Sequence, residues 1–322
     1  MWTVAFIALL FALCVGYVVI KLRDFFEGET LVADLIDEFR LNQAGLAALD
    51  RLWAETPNRS DCVVTLTTIP SRLPHIATTL KSLMRQSRAP ARIVLNLPHH
   101  SKRENAAYIV PEFLQGLKSV AIHRCEDLGP ATKAIPTLLR EAPTQKIIVV
   151  DDDRIYPANL VADLEAAADG DKHSAFGMSG WVVPADLTDR PTTIRANLNM
   201  LPPAPVRARR LSAPLAVDIL QGLSGYLVRP AFFDLARLTD YSGAPTAAFY
   251  VDDVWISGHC NAQRFVIPAR RYNYQPKFRG GFYKRTSLGL INRGPGGNEQ
   301  RHNTMVLRHL ADRWRVGGAG KA

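Results

Sequence analysis

The feature that limits the fold most is a strand-like run that ends in three aspartates. Residues 146–150 read Lys-Ile-Ile-Val-Val, and Asp151, Asp152 and Asp153 follow directly. Such a run is typical of a strand buried on both faces of a parallel sheet, and open α/β sheets bind ligands at the carboxyl ends of these strands. In extended geometry Asp151 and Asp153 point to the same side, so their oxygens suit a hard divalent cation that in turn grips phosphate.

The alternative for this triplet is an acidic turn that caps the helix expected to begin near residue 157, because aspartate is a good helix cap. Three adjacent like charges at the end of a buried strand are costly unless a cation or hydrogen-bond donors compensate them. That cost favours a cation site.

Strand-like and helix-like segments alternate along the rest of the chain. The pattern predicts strands over 63–67, 92–97, 120–123 and 146–150, with helices over 73–86 and 131–140. This alternation implies a mostly parallel sheet with helices on its faces. Further along, we expect a long, mobile loop over 193–216, a glycine-punctuated strand or hairpin over 220–228, a helix that starts near 251 and another over 303–314.

Residues 2–20 contain no charged side chain and are about long enough to cross the hydrocarbon core of a membrane. Lys21 and Arg23 follow this stretch, and no Lys or Arg precedes it. The positive-inside tendency therefore predicts a single-pass anchor with the downstream domain in the cytoplasm, as at a bacterial inner membrane. A cleaved signal peptide is disfavoured because the stretch lacks a basic start and a small-residue cleavage site.

The net charge of +9 is unevenly distributed, since residues 254–298 contain eight Lys or Arg residues and no acidic one. Such a field favours anionic lipid or a phosphorylated ligand, and the alternative is a merely solvated basic face. We find no nucleic-acid recognition motif and expect no nucleic-acid partner. The four cysteines lack metal-ligand spacing.

Five motifs, taken in order, resemble a nucleotide-sugar-dependent glycosyltransferase of the glycosyltransferase-A fold, near its family-2 group. They are Thr-Thr-Ile-Pro-Ser-Arg at 67–72, Leu-Gly-Pro-Ala-Thr-Lys at 128–133, Val-Val-Asp-Asp-Asp at 149–153, Leu-Gln-Gly at 220–222 and Asp-Asp-Val-Trp at 252–255. The resemblance covers about residues 62–260. It implies a glycosyltransferase-A-like α/β fold, here behind an N-terminal transmembrane helix, and a transferase of the hexosyl type.

The resemblance also implies a donor site. A nucleoside diphosphate sugar, UDP- or GDP-linked, would lie against the residues Thr67, Pro70, Arg72, Asp127, Lys133, Asp151 and Asp152. Asp151 and Asp153 would hold Mn²⁺ or Mg²⁺, which neutralises the charge on the departing diphosphate. A strand-to-helix turn is the alternative for the 67–72 motif, and an exposed side chain is the alternative for Lys133.

For the acceptor, the resemblance makes Asp253 the general base that removes the proton of the attacking hydroxyl, with Asp252 beside it. The alternative is a helix N-terminus, where aspartate is favoured by the helix dipole. Gln221, Gly222 and Trp255 would contact the acceptor, Trp255 by stacking and Gly222 by allowing close approach to the backbone. The alternatives are a core position for Trp255 and a bulge or tight turn at the glycine. This acceptor would be a glycan or a lipid-linked sugar of polysaccharide biosynthesis.

These assignments divide the chain into an anchor (1–22), an amphipathic helical connector (23–58), a catalytic domain (59–315) and a disordered tail (316–322). Two other functions stay open. One is a catalytically silent member of the same fold that binds glycan or acts as a scaffold. The other is a nucleotidyltransferase, although the loop after the first strand lacks the glycines usual in that class.

Overall fold

Short strands and helices alternate along residues 2–319, the part of the chain that the computed structural model describes. The strands are β1 (Val63–Thr67), β2 (Arg92–Pro98), β3 (His100–Ser101), β4 (Ala106–Ala107), β5 (Val120–Cys125), β6 (Ile147–Val149), β7 (Ser174–Gly177), β8 (Ser179–Trp181), β9 (Val206–Arg207), β10 (Leu215–Ala216), β11 (Ile219–Leu220), β12 (Tyr226–Val228) and β13 (Gln263–Val266).

The α-helices are α1 (Trp2–Glu27), α2 (Leu31–Gln43), α3 (Leu46–Glu55), α4 (Ala77–Met84), α5 (Ile135–Leu138), α6 (Leu160–Gly170), α7 (Ile194–Asn199), α8 (Leu235–Thr239), α9 (Asp252–His259), α10 (Gly280–Arg285), α11 (Leu288–Ile291) and α12 (His302–His309). Single 3-10 turns connect many of them, as at Gly129–Lys133 before α5 and at Ala311–Arg313 after α12.

Eight strands form the central sheet in the order β10-β13-β7-β12-β6-β1-β2-β5. The pairs β1–β2, β1–β6, β2–β5 and β7–β13 are parallel, whereas β12 runs antiparallel to its neighbours β6 and β7 and β10 runs antiparallel to β13. The expected α/β class with a mostly parallel central sheet and flanking helices is confirmed.

The strands β1 and β6 are neighbours in the interior of the sheet. Their apolar side chains have no exposed surface, as the β-branched composition predicts for a strand covered on both faces. Thr65 pairs with Val149, so both chains leave the sheet at the same edge. The first motif loop and the aspartate triplet therefore emerge side by side, and this edge carries the candidate site.

Two expectations for the second half of the chain are wrong. Residues 193–216 do not form one long loop, because they contain α7, β9 and β10, and these strands pair with β8 and β13. Residues 220–228 contain strand, as one of the two alternatives required, but they are not a hairpin, because β11 pairs with β8 in a separate three-stranded sheet while β12 joins the central sheet. Sequence periodicity does not indicate which neighbouring strand such a short strand pairs with.

The helix α1 is long and apolar enough to cross a membrane by length and composition, and its most apolar stretch is not buried by the rest of the chain. The two helices that follow it pack on the domain. Asp37 of α2 accepts hydrogen bonds from both terminal nitrogens of Arg85 and from Tyr274. Asp50 of α3 accepts bonds from the backbone N–H groups of Lys118 and Ser119.

The C-terminal segment is tied to the sheet by the buried side chain of Asp218. Its carboxylate accepts hydrogen bonds from the backbone N–H groups of Val183, Arg315, Val316 and Gly317. Residues 316–318, the start of the tail for which we expected disorder, make these bonds and a further bond from the Gly318 N–H to the Val183 carbonyl. Residues 320–322 lie outside the described residues.

Candidate functional site

A cavity of about 380 Å³ opens at the carboxyl edge of the central sheet. Its wall comprises the ends of β1 and β6, the first turn of α9 and the segment 287–292. The residues of the sequence-predicted site that line it are Thr67, Arg72, Asp127, Lys133, Asp151, Asp152, Asp153, Gln221, Asp252 and Asp253. Folding thus brings together motifs that are up to 186 residues apart, from Thr67 to Asp253.

The aspartate triplet forms a turn, and each of its carboxylates faces a cation. Asp151 Oδ1 lies 2.6 Å from Lys133 Nζ. Asp152 accepts hydrogen bonds from Arg72 Nη1 at 2.9 Å and from Thr68 Oγ1 at 2.5 Å. Asp153 lies 3.4 Å from both Arg72 and Arg154. The turn therefore replaces the extended geometry that the sequence predicted for this triplet, and Asp152 is bonded to Arg72 and Thr68.

Lys133 stands between the two acidic motifs. Its Nζ atom is 2.6 Å from Asp151 Oδ1, 2.5 Å from Asp252 Oδ2 and 3.2 Å from Asp253 Oδ1, and only 5% of its side chain is exposed. Burial alone would lower the pKa of Lys133, but the three carboxylates outweigh burial and hold this pKa well above its ordinary value. The alternative of an exposed Lys133 is wrong, since one ammonium group links the triplet to α9.

Gly222 makes this arrangement possible because it carries no side chain. A Cβ atom at this position would lie 2.2 Å from Lys133 Nζ and 2.9 Å from Asp151 Oδ1. The Gly222 N–H also donates a hydrogen bond of 3.1 Å to Asp253 Oδ1. The close approach that we expected of a substrate at Gly222 is thus made by the Lys133 side chain.

Asp252 and Asp253 occupy the first turn of α9, where the helix dipole favours negative charge. The pKa of Asp253 is raised to about 7. Burial is the largest cause, Asp252 and Asp151 add to the rise, and Lys133 opposes it. A quarter of the Asp253 side chain is exposed. A carboxylate with a pKa close to neutrality is suited to accept and release a proton at physiological pH.

Arg72 connects the aspartate triplet to Thr286 on the opposite side of the cavity. It donates hydrogen bonds of 2.9 Å to both the hydroxyl and the carbonyl oxygen of Thr286, and Arg103 donates to the same carbonyl at 2.6 Å. These bonds hold the segment that begins at Thr286 against the cavity. Arg72 therefore combines a bond to the triplet with a bond to the C-terminal part of the chain, a link that no sequence motif indicated.

Two further predicted donor contacts are engaged with the protein itself. Asp127 accepts hydrogen bonds from the backbone N–H groups of Lys102 and Gly129 at 2.6 and 2.8 Å. Thr67 Oγ1 donates to the Asn96 carbonyl at 2.7 Å. Both residues thereby fix the loops at the carboxyl edge while they line the cavity.

Two predicted contacts lie elsewhere. Trp255 is 1% exposed, stacks on Tyr241 with ring centroids 4.6 Å apart and donates from Nε1 to the Leu238 carbonyl at 2.9 Å. The prediction that Trp255 stacks on an acceptor is therefore wrong, because α9 turns this ring into the core. Pro70 is half-buried outside the residues that line the cavity.

Several residues of the wall were missed in the sequence. Arg103 and Tyr108 come from the β3–β4 region, Arg154 follows the triplet, and Phe249 and Tyr250 precede the α9 aspartates. Adjacency to an acidic motif was a usable signal for Arg154 and Tyr250. No local pattern pointed to Arg103 or Tyr108.

The donor chemistry of the wall fits a divalent cation. Six carboxylates and four basic side chains line the cavity, so negative charge is in excess before a ligand binds. A nucleoside diphosphate is itself negative, and a cation between it and the carboxylates would reduce their repulsion. Asp151 and Asp153 offer hard oxygen atoms with 28% and 14% of their side chains exposed. Mg²⁺ is commonly held in this way, by one or two carboxylates together with phosphate oxygens and waters.

No protein-family model matches the sequence, and no curated protein matches it. Among solved structures, the chain is similar to residues 1–349 of S. aureus TarS, with 15% identity over 78% of this chain and 71% of that one and a TM-score of 0.45. TarS has also been solved in complex with UDP-GlcNAc.

Two other solved structures are similar at nearly the same sequence identity. The mannosyltransferase PcManGT from Pyrobaculum calidifontis, in complex with GDP-Man and Mn²⁺, is 14% identical over 91% of this chain and 80% of its own, with a TM-score of 0.44. A 4-diphosphocytidyl-2C-methyl-D-erythritol synthase is 14% identical over 66% of this chain and 88% of its own, with a TM-score of 0.37. At TM-scores below 0.5, these likenesses carry no argument about what the chain binds.

Proposed function

We propose that this protein is a membrane-anchored glycosyltransferase that moves a hexosyl group from a UDP- or GDP-linked sugar to a glycan or lipid-linked acceptor. The observation that carries the proposal is the convergence of both acidic motifs on one cavity, where Lys133 lies within 3.2 Å of Asp151, Asp252 and Asp253. A silent binding domain has no need of a half-buried carboxylate with a pKa of about 7 beside a second acidic cluster.

In this mechanism Asp253 accepts the proton of the acceptor hydroxyl while that oxygen attacks the anomeric carbon of the donor sugar. The new carbon–oxygen bond forms as the bond from the anomeric carbon to the diphosphate breaks, and the diphosphate leaves with the electron pair. Lys133 and the Gly222 N–H hold the Asp253 carboxylate in place. Arg72 positions the aspartate triplet through Asp152.

Asp151 and Asp153 would hold Mn²⁺ or Mg²⁺, which, when bound, supplies neutralising charge for the leaving diphosphate. The donor residues of this proposal are those that line the cavity, namely Thr67, Arg72, Asp127, Lys133, Asp151 and Asp152, with Gln221 on the acceptor side. Residues 1–22 anchor the chain, 23–58 connect the anchor to the domain and 59–315 form the catalytic domain in the cytoplasm.

The experiment that tests the proposal is thermal unfolding of the full chain in detergent with a panel of nucleoside diphosphate sugars, each with Mn²⁺, with Mg²⁺ and with a chelator. A ligand that binds only the folded state raises the unfolding temperature by mass action. We expect one nucleotide class to raise it in the presence of metal and not in the presence of the chelator.

The matched variants are Asp153→Asn, which changes a proposed metal ligand, and Asp312→Asn, which changes a carboxylate with 81% of its side chain exposed. The first should lose the metal-dependent shift and the second should keep it. A stabilising effect of nucleoside triphosphates but of no sugar nucleotide would favour a nucleotidyltransferase. A well-folded chain that responds to glycans alone would favour the silent glycan-binding function.

A further inference from the structure

The short helix α7 presents apolar side chains that the rest of the described chain leaves uncovered. Ile194 and Leu198 lie one helical turn apart and are 73% and 47% exposed, and Leu201, just beyond the helix, is 46% exposed. Residues four apart lie on the same side of a helix. Contiguous exposed apolar surface marks an interaction site more often than scattered single residues do.

This helix is tied to the end of α1 by Arg210. The guanidinium group of Arg210 donates to the carbonyl oxygens of Asn197 and Leu198, the second at 2.8 Å. The same group lies 4.6 Å from the ring centroid of Phe25, near the end of α1. The Phe25 side chain is itself 45% exposed, so α7 and the end of α1 form one surface.

Other basic side chains gather at the same place. Arg207 donates to the Phe26 carbonyl and Arg209 to the Glu29 carbonyl. Lys277 contacts the Glu29 carboxylate at 2.5 Å, next to Phe278, which is 61% exposed. Exposed apolar rings and basic groups therefore surround the point where α1 meets the domain.

The distance along α1 places this surface at the depth of lipid headgroups. The uncharged stretch ends at Ile20, and Phe25 is five residues further, about 8 Å along the helix axis. Helices that lie in the membrane interface bury their apolar faces about 5–10 Å deep at the boundary between headgroups and acyl chains. Basic residues at that depth attract anionic lipid.

We propose that Phe25, Ile194, Leu198, Leu201 and Phe278, with the adjacent Arg209 and Arg210, form a docking surface that lies in the headgroup region of an anionic membrane. This docking surface rests on the proposed anchoring by α1. The docking surface holds the domain in contact with the bilayer, so that the domain does not move freely about α1. A lipid-linked acceptor is held at the same bilayer, so the docked domain would meet it at short range.

The test uses the full chain in phosphatidylcholine vesicles that contain phosphatidylglycerol and nitroxide-labelled lipid. In a Cys14→Ser, Cys125→Ser background, a thiol-reactive fluorophore is placed by Leu198→Cys and, separately, by Leu139→Cys. Leu139 follows α5 and is 51% exposed, close to the 47% of Leu198. The two cysteines that remain, Cys62 and Cys260, are buried. We expect quenching at position 198 to exceed that at position 139 several-fold.

A parallel sample reports on the anchor, because native Cys14 lies within the uncharged stretch and is exposed. Quenching at Cys14 with equal, weak quenching at positions 198 and 139 would overturn the docking surface and leave the anchor intact. No quenching at Cys14 would overturn both. Neither result affects the proposed sugar transfer, which is tested by donor binding, and the second result removes only the membrane anchor from the proposed function.

The lipid composition separates charge from apolar insertion. In vesicles of phosphatidylcholine alone, we expect the quenching at position 198 to fall, because the basic residues then lack anionic partners. Arg209→Gln should produce the same fall in the anionic vesicles. If quenching at position 198 is unchanged both by the removal of anionic lipid and by Arg209→Gln, the choice of an anionic membrane as the partner is refuted.

Discussion

Replacement of Lys133 by methionine tests whether this side chain holds the two acidic motifs together. Methionine keeps a long, unbranched and flexible side chain but removes the charge. Asp151, Asp252 and Asp253 then face one another without the cation that lies 2.5 to 3.2 Å from them. Removing one partner of a buried ion pair typically costs about 3–5 kcal/mol. We expect the lower end, ~3 kcal/mol at pH 8, because Asp151 and Asp253 are each about a quarter exposed.

The loss of stability should depend on pH in a defined direction. Burial already raises the pKa of Asp252 and Asp253 above their ordinary values, and without Lys133 both should rise further. The folded variant then binds more protons than the unfolded chain between about pH 4 and pH 8, so its stability increases as the pH falls. The native protein gains less over the same interval, since Lys133 partly compensates its carboxylates. The difference should shrink to about 1 kcal/mol at pH 5.

The assay is urea unfolding of the full chain in detergent at pH 5 and pH 8. Unfolding is followed by tryptophan fluorescence, to which the buried residues Trp53, Trp181, Trp255 and Trp314 contribute. Lys102→Met is the matched control. Lys102 is exposed and donates to the Asp127 carbonyl at 2.9 Å, and its replacement should change stability by no more than about 0.5 kcal/mol. A Lys133→Met variant that loses less than about 1 kcal/mol at pH 8, or loses the same amount at both pH values, would refute the reasoning.

Three further predictions concern Asp253, Asp218 and Arg72. Asp253→Asn should retain the donor-induced rise in unfolding temperature, and its transfer rate should fall by ~100-fold or more, the scale of general-base catalysis. In the native protein, the transfer rate should fall about tenfold per pH unit below the Asp253 pKa of about 7. A transfer rate that does not change with pH would contradict a base at this position. Asp218→Asn leaves several of four backbone N–H groups without their acceptor and should lower the free energy of unfolding by ~2 kcal/mol in urea titrations, whereas a neutral effect would show that the C-terminal segment is held otherwise. Arg72→Met removes both bonds to Thr286, so amide hydrogen exchange in residues 283–292 should accelerate while exchange in β1 and β6 stays slow. Equal protection of residues 283–292 in the native protein and in Arg72→Met would show that Arg72 does not hold this segment.

A membrane-seated domain changes how the proposed reaction would respond to its surroundings. The cavity wall carries excess negative charge, whereas the docking surface at the end of α1 is basic. High salt should therefore weaken contact with the bilayer, because exposed charges are screened, while the buried contacts of Lys133 should change little.

Local patterns in the sequence were sufficient for four strands of the central sheet, β1, β2, β5 and β6, and for its acidic edge. The β-branched runs that end at Thr67 and Val149 form two neighbouring interior strands, and Asp151 to Asp153 emerge at the carboxyl edge beyond the second of them. The apolar stretch before Lys21 forms a single helix. These features depend on backbone geometry and burial within a few residues, which is why a single sequence determined them.

The tertiary structure alone decided what each charged group contacts. Lys133 meets Asp252 and Asp253 across more than a hundred residues, and it fits only because Gly222 leaves room for its ammonium group. The ring of Trp255 turned into the core, although its neighbours Asp252 and Asp253 line the cavity. An ion pair and a buried ring are fixed by distances of a few ångströms between segments far apart in the chain. Sequence spacing contains no such distances until the sheet has brought those segments to one edge.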